Sequence, residues 1–398
     1  MARPDAAHRT ISVLGSTGSV GQATLDVACH EEGRFSVRSL TANRNVDLLA
    51  QQAIRARAEQ AVIADDTLYG ALKERLAGSG VKAAAGRQAV IDAAGDKADI
   101  TMAAIMGVAG LEPILAAIAG GKKVAIANKE PLVSAGSLVM EAARQSGAAL
   151  LPVDSEHNAI FQVFEKANAD KISRIILTAS GGPFREWALE RMERASPEEA
   201  LAHPNWKMGQ KISIDSATMF NKALEVIEAH HLFTMPPEKI DVLLHPQSII
   251  HSMVEYEDGS VLAQMGAPDM RVPISHVLAS PGRMKSPAQR LDFSALSPLS
   301  FGEVDECRFP AIKLAYESMN AGQGACVAMN AANEVAVAAF LGGRMGFMDI
   351  FRTVRAIVEA APISVLNSLE SILQSDADAR RAADDYITNT ITPNRKVS

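Results

Sequence analysis

Thr10-Ile-Ser-Val-Leu14-Gly15-Ser-Thr-Gly18-Ser-Val-Gly21-Gln-Ala-Thr-Leu-Asp26-Val decides the fold of this chain. A short β-rich apolar run enters three glycines spaced GxxGxxG, and a helix-forming stretch comes directly after them. Glycine permits a tight turn and close backbone approach, and a helix N-terminus offers unpaired N–H groups to a pyrophosphate. A plain strand-to-helix turn competes with that reading. The downstream sequence favours the dinucleotide. Further β-rich runs stand at Ser36–Ala42, Gln60–Ala64, Val81–Ala85, Asp99–Ala103, Lys122–Ala127 and Ala148–Val153, separated by helical stretches such as Val46–Ala58 and Ser134–Ser146. Such alternation predicts βαβ units and a mostly parallel sheet, so residues 1–153 read as a nucleotide-binding domain.

An NAD-specific site carries an acid about twenty positions past the glycines, to bind the ribose 2′-hydroxyl. Here the second strand ends in Thr41-Ala-Asn43-Arg44-Asn45, with no acid. A guanidinium matches a 2′-phosphate that a carboxylate would repel, so Arg44 points to NADPH; a solvated surface arginine is the competing reading.

After Asp154 the pattern changes. A strand at Arg174–Ala179 ends in Ser-Gly-Gly-Pro, and a helix is predicted over Ser216–His230. Asp241–His245 reads as a strand, and Ser252–Glu257 with Ser260–Met265 as a hairpin turned by Asp258-Gly259. Residues 154–279 therefore read as a central α+β domain with an antiparallel sheet. Residues 280–310, with Pro281, Pro287, Pro298 and Pro310, read as a linker, and 311–398 as a C-terminal helical bundle with segments near 311–320, 326–341, 347–360 and 364–391.

The length of 398 residues suits two or three domains. With 39 basic and 46 acidic residues the formal net charge is −7, which argues against nucleic-acid binding over the whole surface. Cys29, Cys307 and Cys326 are far apart with no CxxC spacing, which excludes a disulfide framework and a cysteine zinc site and fits a reducing compartment. The opening Met-Ala-Arg-Pro-Asp lacks the apolar core of a secretory signal, so a cytoplasmic location is expected. Ala103–Gly121 approaches the length of a spanning helix, but Glu112 and Pro113 at its centre make it a strand, a loop and a helix instead of a membrane segment.

Val153-Asp154-Ser-Glu156-His-Asn158 comes after the last strand of the parallel series. If the strand reaches Glu156, its i, i+2 spacing turns both carboxylates to one side, a natural site for Mg²⁺ or Mn²⁺; a helix N-cap is the alternative. Asn221, Lys222 and Glu225 share one side of the predicted helix by their i, i+3 and i, i+4 spacing, and Phe220, Leu224 and Ile227 take the other. A third carboxylate at Glu225 is expected, against a routine Lys–Glu pair. Ser180-Gly-Gly, Ser216, Asn221 and Lys222 are the donors expected around a phosphate monoester. Between them, His203-Pro-Asn-Trp206-Lys-Met208-Gly209 reads as a lid that excludes water, with passive packing of Trp206 the alternative. Spacing leaves His203 open between ligand, phosphate contact and structural roles. His245 and His251 read as structural.

These residues resemble one family, the 1-deoxy-D-xylulose 5-phosphate reductoisomerases. The resemblance rests on residues 15–21, Ala-Asn-Lys-Glu (127–130), Asp-Ser-Glu-His-Asn-Ala (154–159), Ala-Ser-Gly-Gly-Pro-Phe (179–184), 203–209, Asp-Ser-Ala-Thr-Met-Phe-Asn-Lys (215–222), His-Pro-Gln-Ser-Ile-Ile-His-Ser (245–252) and Asn-Ala-Ala-Asn-Glu (330–334). It implies an α/β fold with an N-terminal Rossmann-like parallel sheet. It implies NADPH contacts at Thr17, Gly18, Ser19, Val20, Asn43, Arg44, Asn45, Asn128, Glu130 and Gly209. It implies Mg²⁺, Mn²⁺ or Co²⁺ on Asp154, Glu156 and Glu225, with Lys129 a further catalytic residue. Substrate contacts carry over to Lys129, Ser155, Glu156, Ser180, His203, Ser216, Asn221, Lys222 and Glu225.

The family reaction rearranges the sugar phosphate 1-deoxy-D-xylulose 5-phosphate and reduces it to 2-C-methyl-D-erythritol 4-phosphate, in isoprenoid biosynthesis, and its members are typically homodimers. Two departures stand out: Ala42-Asn43-Arg44-Asn45 replaces the usual Ala-Gly-Lys-Asn, and Pro131 comes after Glu130 where Ser or Thr is common. Two other classes compete. A semialdehyde- or homoserine-type NADP dehydrogenase would need no Asp-x-Glu metal site. A dinucleotide-sensing protein would have no reason to gather carboxylates, lysine and phosphate donors.

Overall fold

The computed structural model describes residues 8–206, 208–296, 298–362 and 366–392. The chain forms two compact units whose segments interleave: Met1–Pro131, Val139–Asn158 and Asp269–Gln289 in the first, and Leu132–Leu138, Ala159–Pro268 and Arg290–Ser398 in the second. The opening pentapeptide, Lys207 of the lid motif and Ser364-Val365 at the head of the last predicted helix lie outside the described residues.

The first unit runs β1 (Arg9–Leu14), α1 (Ser19–His30), β2 (Phe35–Ala42), α2 (Val46–Arg55), β3 (Gln60–Ile63), α3 (Tyr69–Arg75), β4 (Lys82–Ala85), α4 (Arg87–Gly95), β5 (Ile100–Ala103), α5 (Leu111–Ala119), β6 (Lys123–Ile126), α6 (Glu130–Ser146), β7 (Ala149–Pro152) and the start of α7 (Ser155–Val163). All seven strands pair in parallel in the order β4-β3-β2-β1-β5-β6-β7. Strands covered on both faces need continuous apolar runs, and Ile11, Val13, Leu14, Ile100 and Met102 are buried accordingly. The order reverses between β1 and β5, so the crevice beyond their carboxyl ends is where such a sheet binds ligands. The stretch 103–121 is β5, a turn and α5, as expected.

Pro131 sits in the first turn of α6, and left-handed Gly147 ends that helix. Ala135 interrupts it with non-helical angles. A late segment also belongs to the first unit: α12 (Arg271–Ala279), where Arg271 reaches Asp26 of α1 at 3.2 Å and Arg9 donates to the carbonyls of Leu278 and Ser280 at 2.9 Å.

The second unit holds β8 (Ile172–Ala179), short α8 (Leu189–Met192) and α9 (Pro197–Leu201), α10 (Gln210–Thr218), α11 (Phe220–Phe233), β9 (Ile240–Leu244), β10 (Ile250–Tyr256), β11 (Val261–Met265), α13 (Ala311–Ala321), α14 (Gln323–Leu341), α15 (Phe347–Ala360) and α16 (Leu369–Tyr386). Its sheet, ordered β11-β10-β8-β9, corrects the expectation of an antiparallel one. β10 is antiparallel to β8 and β11, but β9 runs parallel to β8. The reason is the long connection through α8–α11, which lets the chain return in the same direction.

A second correction concerns the predicted helix 216–230, which is two helices. Thr218 Oγ1 donates back to the carbonyls of Ile214 and Asp215 at 3.0 and 3.2 Å, and Met219 adopts φ +63°. A hydroxyl competing for backbone acceptors and a left-handed residue end α10 there. Phe220, Leu224 and Ile227 then join one buried cluster with Met329, Ala332, Phe340, Phe347, Ile350 and Val354 of the C-terminal helices. α14 is long and apolar enough to cross a membrane, yet 78% of its apolar stretch is buried, which makes it a core helix. Residues 280–310 contain no helix or strand among those described beyond a single bridge from Gly302 to Leu244.

Candidate active site

The glycine turn between β1 and α1 is built by exclusion. A Cβ on Gly15, at φ +81°, would lie 2.6 Å from the Ala104 carbonyl oxygen beyond β5, and one on Gly21 would lie 2.4 Å from the Gly15 oxygen. Neither position accepts another residue without moving backbone. Gln52 of α2 clamps the turn, accepting from Ser16 Oγ at 2.8 Å and donating to the Ser16 carbonyl at 2.9 Å. Gly18 precedes α1 without a side-chain cap, so the first N–H groups of the helix, at Ser19 and Val20, face outward for an anion. Asn45 caps α2 by accepting from the Leu48 N–H at 3.2 Å. Arg44 is 73% exposed, with Nε 3.4 Å from Asp65. Asn128, after β6, donates to the Gly107 carbonyl at 2.9 Å, and Glu130 is buried at the start of α6.

Farther along the same carboxyl edge, β7 stops at Pro152 and α7 begins at Ser155. The extended i, i+2 geometry is therefore corrected. Asp154 precedes the first helical turn, where its Oδ1 accepts the Ser155 N–H at 2.9 Å, and Glu156 stands inside that turn, accepting from Ser155 Oγ. Lys129 Nζ lies 2.9 Å from Asp154 Oδ2, and His157 Nδ1 lies 3.6 Å from the same oxygen. Burial alone would raise the Asp154 pKa; the Lys129 ammonium and His157 outweigh it and hold the carboxyl far below the usual range.

In the second unit, the loop after β8 carries Ser180, Gly181 and Gly182. Asn205 and Trp206 donate their backbone N–H groups to His203 Nδ1 at 3.2 and 2.9 Å. Nε2 therefore bears the proton and donates to Ser180 Oγ at 3.0 Å. Burial lowers the His203 pKa, which keeps this neutral tautomer. Ser180 Oγ also accepts from the Gly182 N–H at 3.1 Å, leaving its hydroxyl hydrogen to donate outward. Gly182, at φ +64°, presses on α10: a Cβ there would lie 2.7 Å from the Ser216 carbonyl oxygen. On α11, Asn221 and Lys222 both donate to Glu225, and Lys222 and Glu225 are buried.

The structure thus brings Lys129, Asp154, Ser155 and Glu156 together in the first unit. It brings Ser180 to His203, Ser180's loop to Ser216, and Asn221 and Lys222 to Glu225 in the second. Trp206 is half-buried with its ring 6.0 Å from His251, and Gly209 precedes α10. His245 is spent on backbone: Nδ1 donates to Ser300 at 2.9 Å and Nε2 accepts from Ile249 and Ile250. Sequence reasoning missed Gln52, the approach of His157 to Asp154, and Asn205, which donates to the Pro246 carbonyl at 2.6 Å. The Gly181-Gly182 pair was singled out, and paired glycines after a strand mark close backbone approach.

Comparison with known proteins gives concordant matches along the chain. The family described as 1-deoxy-D-xylulose 5-phosphate reductoisomerase matches residues 11–136, and its two C-terminal domain families match 150–233 and 265–382. A protein of that name from Zymomonas mobilis subsp. mobilis is 57% identical over 372 residues, 94% of this chain and 96% of its own length. A structure of the Zymomonas mobilis enzyme in complex with NADPH superposes with a TM-score of 0.91 at 54% identity, covering 96% of this chain and all of that one. A DOX-P reductoisomerase structure in complex with NADPH, fosmidomycin and magnesium gives 0.92 at 41% identity, covering 96% of this chain and 98% of that one. The chain belongs to the 1-deoxy-D-xylulose 5-phosphate reductoisomerase family.

Proposed function

We propose that this chain converts 1-deoxy-D-xylulose 5-phosphate to 2-C-methyl-D-erythritol 4-phosphate, with NADPH as reductant and Mg²⁺ as the metal, replaceable by Mn²⁺ or Co²⁺. The observation that carries this reading lies in the first unit. A tight glycine turn that leaves a helix N-terminus open to a pyrophosphate shares one sheet edge with the Lys129–Asp154–Glu156 group.

The donor set fits a hard divalent cation: Asp154, Glu156 and Glu225 offer carboxylate oxygens, and lysines already supply positive charge beside Asp154 and Glu225. A cation held there would supply Lewis acidity, polarising the substrate carbonyl beside its hydroxylated carbon. Lys129 keeps Asp154 ionised and sits where it can steady a substrate oxygen. Ser180, through the proton it has left to donate, joins Ser216, Asn221 and Lys222 in holding the phosphate, and His203 fixes the Ser180 hydroxyl in that role. Trp206 and Met208 cover the reacting end and exclude water, which strengthens every charge interaction beneath them.

We further propose a cytoplasmic homodimer. All three cysteines are free thiols, as a reducing compartment requires. β11 is an edge strand with Val261 and Leu262 47% and 39% exposed, a surface that pairing with a second copy would cover. Light scattering on the purified protein reads the mass directly.

The activity is tested by supplying the deoxyxylulose phosphate with NADPH and Mg²⁺ and identifying the product. Stoichiometric NADPH oxidation with a branched methylerythritol phosphate as product is expected. NADPH oxidation giving an unbranched polyol phosphate would instead indicate a plain dehydrogenase.

A further inference from the structure

α14 is an alanine-rich core helix that nevertheless buries two asparagines completely, Asn330 and Asn333. Burying an amide is unfavourable unless it is hydrogen-bonded, so each must serve a partner. The two face different neighbours. Asn330 donates to Glu334 Oε1 at 3.2 Å, and Glu334 is held by Arg380 of α16 at 2.7 Å. Asn333 donates to Asp215 Oδ1 of α10 at 2.8 Å, while Lys211, one turn earlier on α10, lies 2.7 Å from the other carboxylate oxygen. Asp215 is 1% exposed, and its bonds therefore fix how α10 is turned about its axis.

That rotation matters because the residue after Asp215 is Ser216. The Gly182 backbone packs closely against the Ser216 carbonyl, and the Met219 N–H closes the helix end onto that carbonyl at 3.3 Å. Each residue of a helix is about 100° around from the last, so an anchor on Asp215 sets the direction of the Ser216 hydroxyl and the seat of the Ser180-Gly-Gly loop. We propose that Asn333 is a positioning residue for the phosphate pocket, acting through Asp215 to orient Ser216 and, through Gly182, Ser180. An acid so close to a bound phosphate would repel it if left bare, and Lys211 and the Asn333 amide together satisfy both its oxygens. The inference rests on the assignment of Ser180, Ser216, Asn221 and Lys222 to the substrate phosphate.

The test compares Asn333→Ala, Asn333→Ser and Asn330→Ala in the full-length protein with NADPH and Mg²⁺. The readouts are KM and kcat for the sugar phosphate, the affinities for NADPH and for the phosphonate fosmidomycin, and Tm. Asn333→Ala is expected to raise KM and weaken fosmidomycin at least about fivefold, the effect of losing one hydrogen bond to a charged group. Its kcat should fall less than KM rises, and NADPH affinity should hold. Asn333→Ser keeps a short donor and should recover part of the loss. Asn330→Ala should lower Tm without raising KM. An unchanged KM in both Asn333 variants, or an equal rise in Asn330→Ala, overturns the proposal. Ser216→Ala run in parallel separates the two readings: if it leaves fosmidomycin affinity intact, the phosphate pocket itself is misassigned.

Discussion

Asp154 could not be drawn partly out of water alone. A carboxylate without a partner would protonate before it left water, and the Lys129 ammonium at 2.9 Å keeps it charged. Lys222 pairs with Glu225 in the same manner. His231 shows the opposite solution. Its ring fills the space where a Cβ on Gly136 would stand, and burial, together with the repulsion of His230, pushes its pKa down from 6.5 to about 4. Because the folded value is the lower one, the stability it supports is whole above pH 6.5 and is lost as pH falls from 6.5 toward 4. The expected loss over that window is about 3 kcal/mol. Urea unfolding at pH 7.5 and pH 5 should show a clearly smaller pH dependence in His231→Gln than in the parent chain, and identical dependence would clear His231 of the effect. Arg44 carries a cofactor prediction. Arg44→Ala should raise KM for NADPH through loss of a charge-assisted bond of about 1.5–3 kcal/mol, leaving NADH nearly unaffected. An equal change for both cofactors would mean that Arg44 does not read the 2′-phosphate.

Among the elements, the join between the β8 loop and α10 leaves no room for a side chain. Gly182→Ala would force a side chain into the Ser216 carbonyl at a left-handed position. Fosmidomycin affinity should fall by about tenfold or more, with NADPH binding retained. Wild-type affinity in that variant would show that the contact is slack. All seven parallel strands and their glycine turn were legible in the sequence, because short β-rich runs alternate with helical stretches, the inner ones apolar and buried, and the positive φ at Gly15 demands glycine. The break at Met219 was not: Thr218 and Met219 look like helix interior until the hydroxyl is seen bonding backward. The direction of β9 was equally hidden, since a five-residue strand carries no mark of parallel or antiparallel pairing. Asp154, Glu156 and Glu225 stood out as carboxylates by their spacing and Lys129 only through the family motif, whereas Gln52 and Asn333 act through contacts distant in sequence that no local pattern encodes.

At the scale of the whole molecule, the chain leaves and re-enters its first unit. α6 and α7 contribute residues to both units, and α12 rejoins the first unit after the second sheet is complete. Asp154 and Glu156 belong to the first unit and Glu225 to the second. A structural role for the acids and a metal-holding role therefore differ in one consequence. Caps and ion pairs work without a cation; the proposed reaction does not. The direct measurement is turnover of 1-deoxy-D-xylulose 5-phosphate, monitored by NADPH oxidation, in chelator-treated protein before and after adding Mg²⁺, Mn²⁺ or Co²⁺. The stripped protein should keep its fold by circular dichroism and still bind NADPH, show no turnover, and regain it with each cation. Normal turnover without any divalent cation would contradict the account and return Asp154, Glu156 and Glu225 to caps and buried pairs.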